Sequence, residues 1–141
     1  MQTFLPYPDF AQSAKVLDYR RLGKQRVEAM QILNTLQTGG GWKNHPAVLM
    51  WRGYLPALSL YFNAIVLEWI SRGYKNKMQF LATEDNTVMP PWLGNEAFHA
   101  SHRSNLLRKD PKWYGQFGWT EPPDLPYVWP VRKDDEDRPS R

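Results

Sequence analysis

The 141-residue chain has no cysteine. Disulfides, thiolate nucleophiles and thiolate-bound metals are therefore excluded, and a cytoplasmic location is compatible with the absence. No apolar run approaches the roughly 20 residues needed to span a bilayer, so no membrane association is expected. The opening Met1-Gln2-Thr3-Phe4-Leu5-Pro6 has neither the basic start nor the long apolar run of a signal peptide. A Gly-rich phosphate loop, a serine nucleophile elbow and a dinucleotide fingerprint are all missing, and no cofactor is expected. No segment alternates in the manner of a half-buried strand. Carboxylates are scarce before residue 132.

What the chain does have is aromatic rings and positive charge. It carries seven tryptophans, twelve prolines and a net charge of +4. Residues 132–141 hold four basic residues (Arg132, Lys133, Arg138, Arg141) and four acidic ones (Asp134, Asp135, Glu136, Asp137). The surplus therefore belongs to residues 1–131, read as one domain followed by a disordered charged tail. Its densest part is Asp18-Tyr19-Arg20-Arg21-Leu22-Gly23-Lys24-Gln25-Arg26, where four cations fall within seven residues. A polyanion is the natural partner for such a stretch.

Periodicity gives an all-α reading, with three main helices, short helices, long loops and an extended C-terminal segment. Asp9 caps a helix to about Asp18. A bend or break is expected near Gly23. A second helix runs on to about Leu36, its buried stripe read as Val27, Met30, Leu33 and Leu36. It stops at Thr38-Gly39-Gly40-Gly41. A short helical stretch follows Pro46. The longest and most apolar helix spans about 56–72 and is read as the central core helix. Residues 74–94 are irregular. Asn95 caps a helix over about 96–108, and proline-punctuated extended chain closes the domain.

The candidate phosphate contacts are Arg20, Arg21, Lys24, Arg26, Arg103 and Lys112, since guanidinium and ammonium groups bind phosphate oxygens by charge and hydrogen bond. Trp113 and Tyr114 follow Arg108-Lys109 and Lys112 closely, an interleaving that suits stacking on bases. The same rings equally suit packing the C-terminal chain onto the core. His99 and His102 are three apart on one helix. With His45 they make at most a weak metal-ligand set, and hydrogen bonding at a helix face is the ordinary reading, so no metal is expected. Asp18 is the candidate acid/base carboxylate, beside Arg20 and Arg21. Glu28 reads as an i, i+4 partner of Lys24.

In order and spacing these features resemble the pyrimidine-dimer DNA glycosylase family, the endonuclease V type of phages and its short bacterial relatives. The resemblance spans most of residues 9–117. Asp18-Tyr19-Arg20-Arg21-Leu22 is similar to the family's acidic-Tyr-Arg-Glu-Leu stretch. Arg72-Gly73-Tyr74 resembles its Arg-Gly-Phe. His99-Ala100-Ser101 with Pro111-Lys112-Trp113-Tyr114 resembles its His-Glu-Ala-Ser helix and Pro-Thr-Trp-Tyr segment. The closest likeness is to a small branch opening Gln2-Thr3-Phe4-Leu5-Pro6 and containing Leu22-Gly23-Lys24-Gln25-Arg26.

The resemblance implies an all-α monomer that binds damaged duplex DNA and extrudes a nucleotide. It implies attack on the sugar by an N-terminal α-amine, assisted by a glutamate of the first helix, with an imine intermediate and strand cleavage. Two positions depart from that pattern. The family's amine belongs to a threonine exposed by Met removal, whereas Gln2 follows Met1 here, so Met1 itself (or Thr3 after trimming) is the candidate nucleophile. The assisting glutamate aligns with Arg21, and Asp18 is the candidate substitute. Two further readings fit the same residues. One is a non-catalytic nucleic-acid-binding protein. The other is an N-glycosidase that activates water with Asp18, His99 or His102.

Overall fold

The computed structural model describes residues 1–131; the expected charged tail, 132–141, lies outside the described residues. Helices α1 (Phe10–Val16), α2 (Tyr19–Thr38), α3 (Pro46–Leu49), α4 (Leu55–Ser71), α5 (Glu96–Lys109) and α6 (Pro111–Tyr114) follow in order, and a 3-10 turn at Gly115–Phe117 ends the series. The described residues contain no strand, so the all-α reading holds.

The chain breaks between α1 and α2 at Leu17 and Asp18, not at Gly23. Leu17 and Asp18 are both extended, with ψ of 138° and 163°. Asp18 then accepts a hydrogen bond from the Arg21 N–H and so caps the new helix. Gly23 lies inside an unbroken helix for a packing reason. A Cβ there would stand 3.0 Å from the Trp69 ring of α4. Glycine lets that ring lie directly on the α2 backbone.

The buried stripe of α2 also differs from the expected one. The inward residues are Leu22, Gln25, Ala29, Ile32 and Leu33. Val27, expected inside, is 49% exposed. The buried glutamine hid the true register from a count of apolar residues.

Helix α4 packs against both α1 and α2 and supplies the centre of the core through Leu58, Tyr61, Phe62, Ile65 and Val66. It is not apolar on a wholly buried circumference, because Leu67 and Ile70 are exposed.

Helix α5 has the opposite character. His99, Ser101, His102, Arg103, Ser104 and Asn105 are all buried. Their partners are two extended segments that have no sheet to join. On one side His102 Nδ1 accepts from the Leu5 N–H at 2.9 Å, His99 Nδ1 lies 2.7 Å from the Leu5 carbonyl, and Arg103 donates to the Pro6 carbonyl at 2.7 Å. On the other, Ser104 bonds the backbone at Pro122 and Leu125, Asn105 donates to the Leu125 carbonyl, and Ser101 accepts from the Val128 N–H. Buried backbone groups must be paired, at a cost of about 1–3 kcal/mol for each left open. Here polar side chains replace a β-ladder.

This arrangement predicts acid sensitivity. His102 is wholly enclosed; burial first, then the charge of His99, hold its imidazole down at about 3. The unfolded chain's imidazole protonates near 6.5. As pH falls from 6.5 towards 3, the unfolded state takes up that proton first, and stability drops by about 1.4 kcal/mol per unit. His102→Asn keeps an acceptor for the Leu5 N–H and removes the titration. Urea unfolding at pH 7, 5.5 and 4 should show a shallower loss for the variant than for the wild type.

Candidate nucleic-acid interface

At 100° per residue, Arg20, Arg21, Lys24, Gln25 and Glu28 share one broad face of α2. That face forms a wall of a cleft of about 470 Å³. Met1, Gln2 and Phe4 of the N-terminal segment form a second wall, and Lys109 of α5 and Tyr127 of the C-terminal segment complete it.

The buried carboxamide of Gln25 fixes the N-terminal wall. Its oxygen accepts from the Phe4 N–H at 3.1 Å and from the Tyr61 hydroxyl at 2.7 Å. Its nitrogen donates to the Gln2 carbonyl at 2.8 Å and to Glu28 at 3.0 Å. All four of its bonding positions are therefore used. The Glu28 carboxylate also accepts from the Gln2 N–H, at 3.4 Å. No ion pair between Glu28 and Lys24 forms among the described residues. Near the same end of the chain, His45 caps α3, and burial, followed by the charge of the amino terminus, pushes its imidazole down.

The cations of the cleft crowd one another. Burial, then the charges of Arg21, Arg108 and Lys24, push the Lys109 ammonium down. Like charges held together by a folded frame form a preformed anion site, because a bound polyanion relieves their repulsion. Arg21 is steered into place by Asp18, 3.2 Å away.

The sequence-derived candidates thus separate into two groups. Met1, Arg20, Arg21 and Lys24 meet in the cleft. The others stand elsewhere. Asp18 caps α2, and its carboxylate takes the Tyr114 hydroxyl and Arg21 as partners. Burial would raise its pKa, but Tyr114 and Arg21 together hold it below the ordinary carboxylate value. Tyr114 is fully buried, and burial, then the bond to Asp18, push its hydroxyl far up. Trp113 is partly exposed on α6 with its indole N–H bonded to the Val16 carbonyl, and Lys112 is exposed beside it. Arg103 is buried against Glu96 and Glu121. Arg26 lies 4.1 Å over the Trp69 ring and donates to Asn76. His99 uses both ring nitrogens on backbone, the second accepting from the Gly94 N–H at 2.9 Å. Neither it nor His102 lines the cleft.

Glu28, Gln25, Lys109 and Tyr127 are cleft residues that the motif reading did not assign. The first two were visible as positions i+7 and i+4 from Arg21 on a helix. Nothing local to Tyr127 marked it, since its place depends on how α5 holds the C-terminal segment. No group of three metal-ligating side chains occurs among the described residues, and no helix there is long and apolar enough to cross a membrane.

The family model of pyrimidine dimer DNA glycosylase matches residues 1–82. The chain belongs to that family. No curated protein and no solved structure matches it. Family membership makes DNA its partner, and the matched residues include the N-terminal and α2 walls of the cleft. Helices α5 and α6 lie beyond the match.

Paired and unpaired cations should behave differently in DNA binding. Lys24→Ala should reduce the slope of log K against log salt by about 1 and leave unfolding unchanged. Arg103→Ala should lower stability by about 3 kcal/mol, because it leaves the largely buried Glu121 carboxylate and the Pro6 carbonyl without their donor. Fluorescence anisotropy across a salt series, beside urea unfolding, checks both.

Proposed function

We propose that the protein is a DNA N-glycosylase acting on damaged or modified bases, with the α-amine of Met1 as its nucleophile. One observation carries the reading: in a member of this family, the amino-terminal residue and Arg20, Arg21 and Lys24 of α2 open onto the same cleft. A primary amine suits the task because it can attack the sugar carbon and go on to form an imine. Attack of the nitrogen on the sugar C1′ breaks the bond to the base. The bonding pair leaves with the base, which takes a proton from water. Opening of the sugar ring then gives an imine linking Met1 to the DNA, from which strand cleavage by elimination can follow.

A cleft of about 470 Å³ falls within the usual range for a small-ligand site and suits one extruded nucleotide. Arg20 and Lys24 are exposed and available to flanking phosphates. Arg21, half-buried, and Lys109, exposed, line the same cleft and add to its positive charge. Phe4 and Tyr127 take the place expected of Trp113 and Tyr114 as the apolar surfaces against the base.

The water-activating alternative is less well supported. Asp18 is occupied by Tyr114, Arg21 and the start of α2, and both histidines are buried on backbone partners. A non-catalytic binder would keep the same cations, so the test must read covalent chemistry. Borohydride reduction during incubation with abasic DNA should give a stable adduct whose peptide map places the DNA on Met1. Acetylating the terminus beforehand should abolish it. Intact DNA binding without any adduct would remove the Met1 nucleophile; base release would then leave the water-activating reading, and no base release would leave the binder.

A further inference from the structure

We propose that Glu28 is the catalytic carboxylate of this site, taking the position that family likeness would have given to residue 21. The inference rests on the N-glycosylase reading above and identifies its proton acceptor.

The direction of the N-terminal segment carries the argument. Two pairs of contacts fix it against α2: Phe4 lies beside Gln25, and Gln2 lies beside Glu28. The segment therefore runs antiparallel to α2, and its amino end lies towards the helix C-terminus. Met1 is one residue further in that direction than Gln2. A carboxylate at position 21 would stand seven residues back, about 10 Å along the helix axis. Arg21 is in any case turned to Asp18. Residue 28 is two turns on and on the same face, beside Gln2 rather than Phe4.

Among the described residues, Glu28 is also the only carboxylate lining the cleft. Its Oε2 is held by the Gln2 N–H and by Gln25, so its orientation does not depend on substrate. Gln25 is itself anchored by Tyr61. A carboxylate fixed one residue from a nucleophilic amine has a defined task. As the nitrogen forms its bond to C1′ and the base departs with its electron pair, the nitrogen becomes positively charged. Glu28 accepts the proton that it sheds. The product is a neutral amine substituted on C1′, a protonated Glu28 and the released base, so atoms and charge balance.

The test uses the full chain in single turnover, with enzyme saturating over a lesion-bearing duplex and, separately, over abasic DNA. Glu28→Gln keeps one oxygen as acceptor and removes the base. It should bind both DNAs with near wild-type affinity and lose about 100-fold or more in base release and in the rate of borohydride-trapped adduct. Glu28→Asp, which keeps the charge but retracts it, should fall between the two. Glu28→Ala should be restored by added formate in proportion to concentration, a response that a structural role would not give. Glu28→Gln acting within threefold of the wild type would overturn the proposal while leaving the glycosylase reading in place. So would a folded, inactive Glu28→Ala that formate does not rescue. A wild type that releases base without an adduct would overturn both the Met1 nucleophile and this role for Glu28, and one that does neither would end the glycosylase reading too.

Discussion

The N-terminal segment is buried in extended form without a sheet to receive it, and most of the structure answers to that fact. Residues 2–6 are all buried. Extended backbone in such a place carries donors and acceptors along both edges, and none has a neighbouring strand. The protein supplies side chains from three helices instead: Gln25 and Glu28 from α2, Tyr61 from α4, and His99, His102 and Arg103 from α5. Each bond aligns one backbone atom with one side chain, so the segment cannot slide by a residue without breaking the whole set. A strand in a sheet can shift register and find new partners; this segment cannot. The amino terminus is placed by that rigidity.

Helix α2 meets three demands on three faces. Leu22, Ala29, Ile32 and Leu33 face the core. Gly23 and Arg26 face Trp69, which is itself flanked by Tyr19, stacked at 5.4 Å, and by Tyr74. Arg20, Arg21, Lys24 and Glu28 face the cleft. Four cations in seven residues cannot point one way on a helix, and they do not. Three serve the cleft, while Arg26 packs on an aromatic ring and bonds Asn76. A count of charge along the chain overstates the binding surface by that residue, and by Arg103, whose charge is neutralised inside the fold.

Much of the architecture was readable from the sequence because it rests on local rules. Asp9 and Asn95 cap the helices they were expected to cap, and Gly39 ends α2 with φ of 81°. The misreadings share one cause, which is polar residues with buried roles. Gln25 inside α2 displaced the expected stripe towards Val27. His99 and His102 hydrogen-bond at a helix face, the ordinary reading of their spacing, and Arg103, expected at phosphate, is held inside the fold with them. Here they bind backbone 94 to 97 residues away in sequence, as the Leu5, Pro6 and α5 pairings show. No local pattern signals a partner that distant. Gly23 was misread for the converse reason: its missing side chain serves a ring from α4, not a turn of its own chain.

The position of the carboxylate follows from the same geometry. An amine delivered by an extended segment travels about 3.3 Å per residue, whereas the helix beside it rises 1.5 Å per residue. A shift of two or three residues in how the segment is held therefore moves the amine by about two turns of α2, and the residue on the cleft face at its level changes from 21 to 28. Both positions project on the same side, since seven residues are close to two whole turns. The cleft can thus retain its cationic wall while the carboxylate moves along it. Arg21 at the family's glutamate position is then no sign of lost chemistry by itself. It is consistent with a segment anchored at Gln25, which brings the Gln2 N–H to Glu28 and leaves position 21 free to carry a cation steered by Asp18.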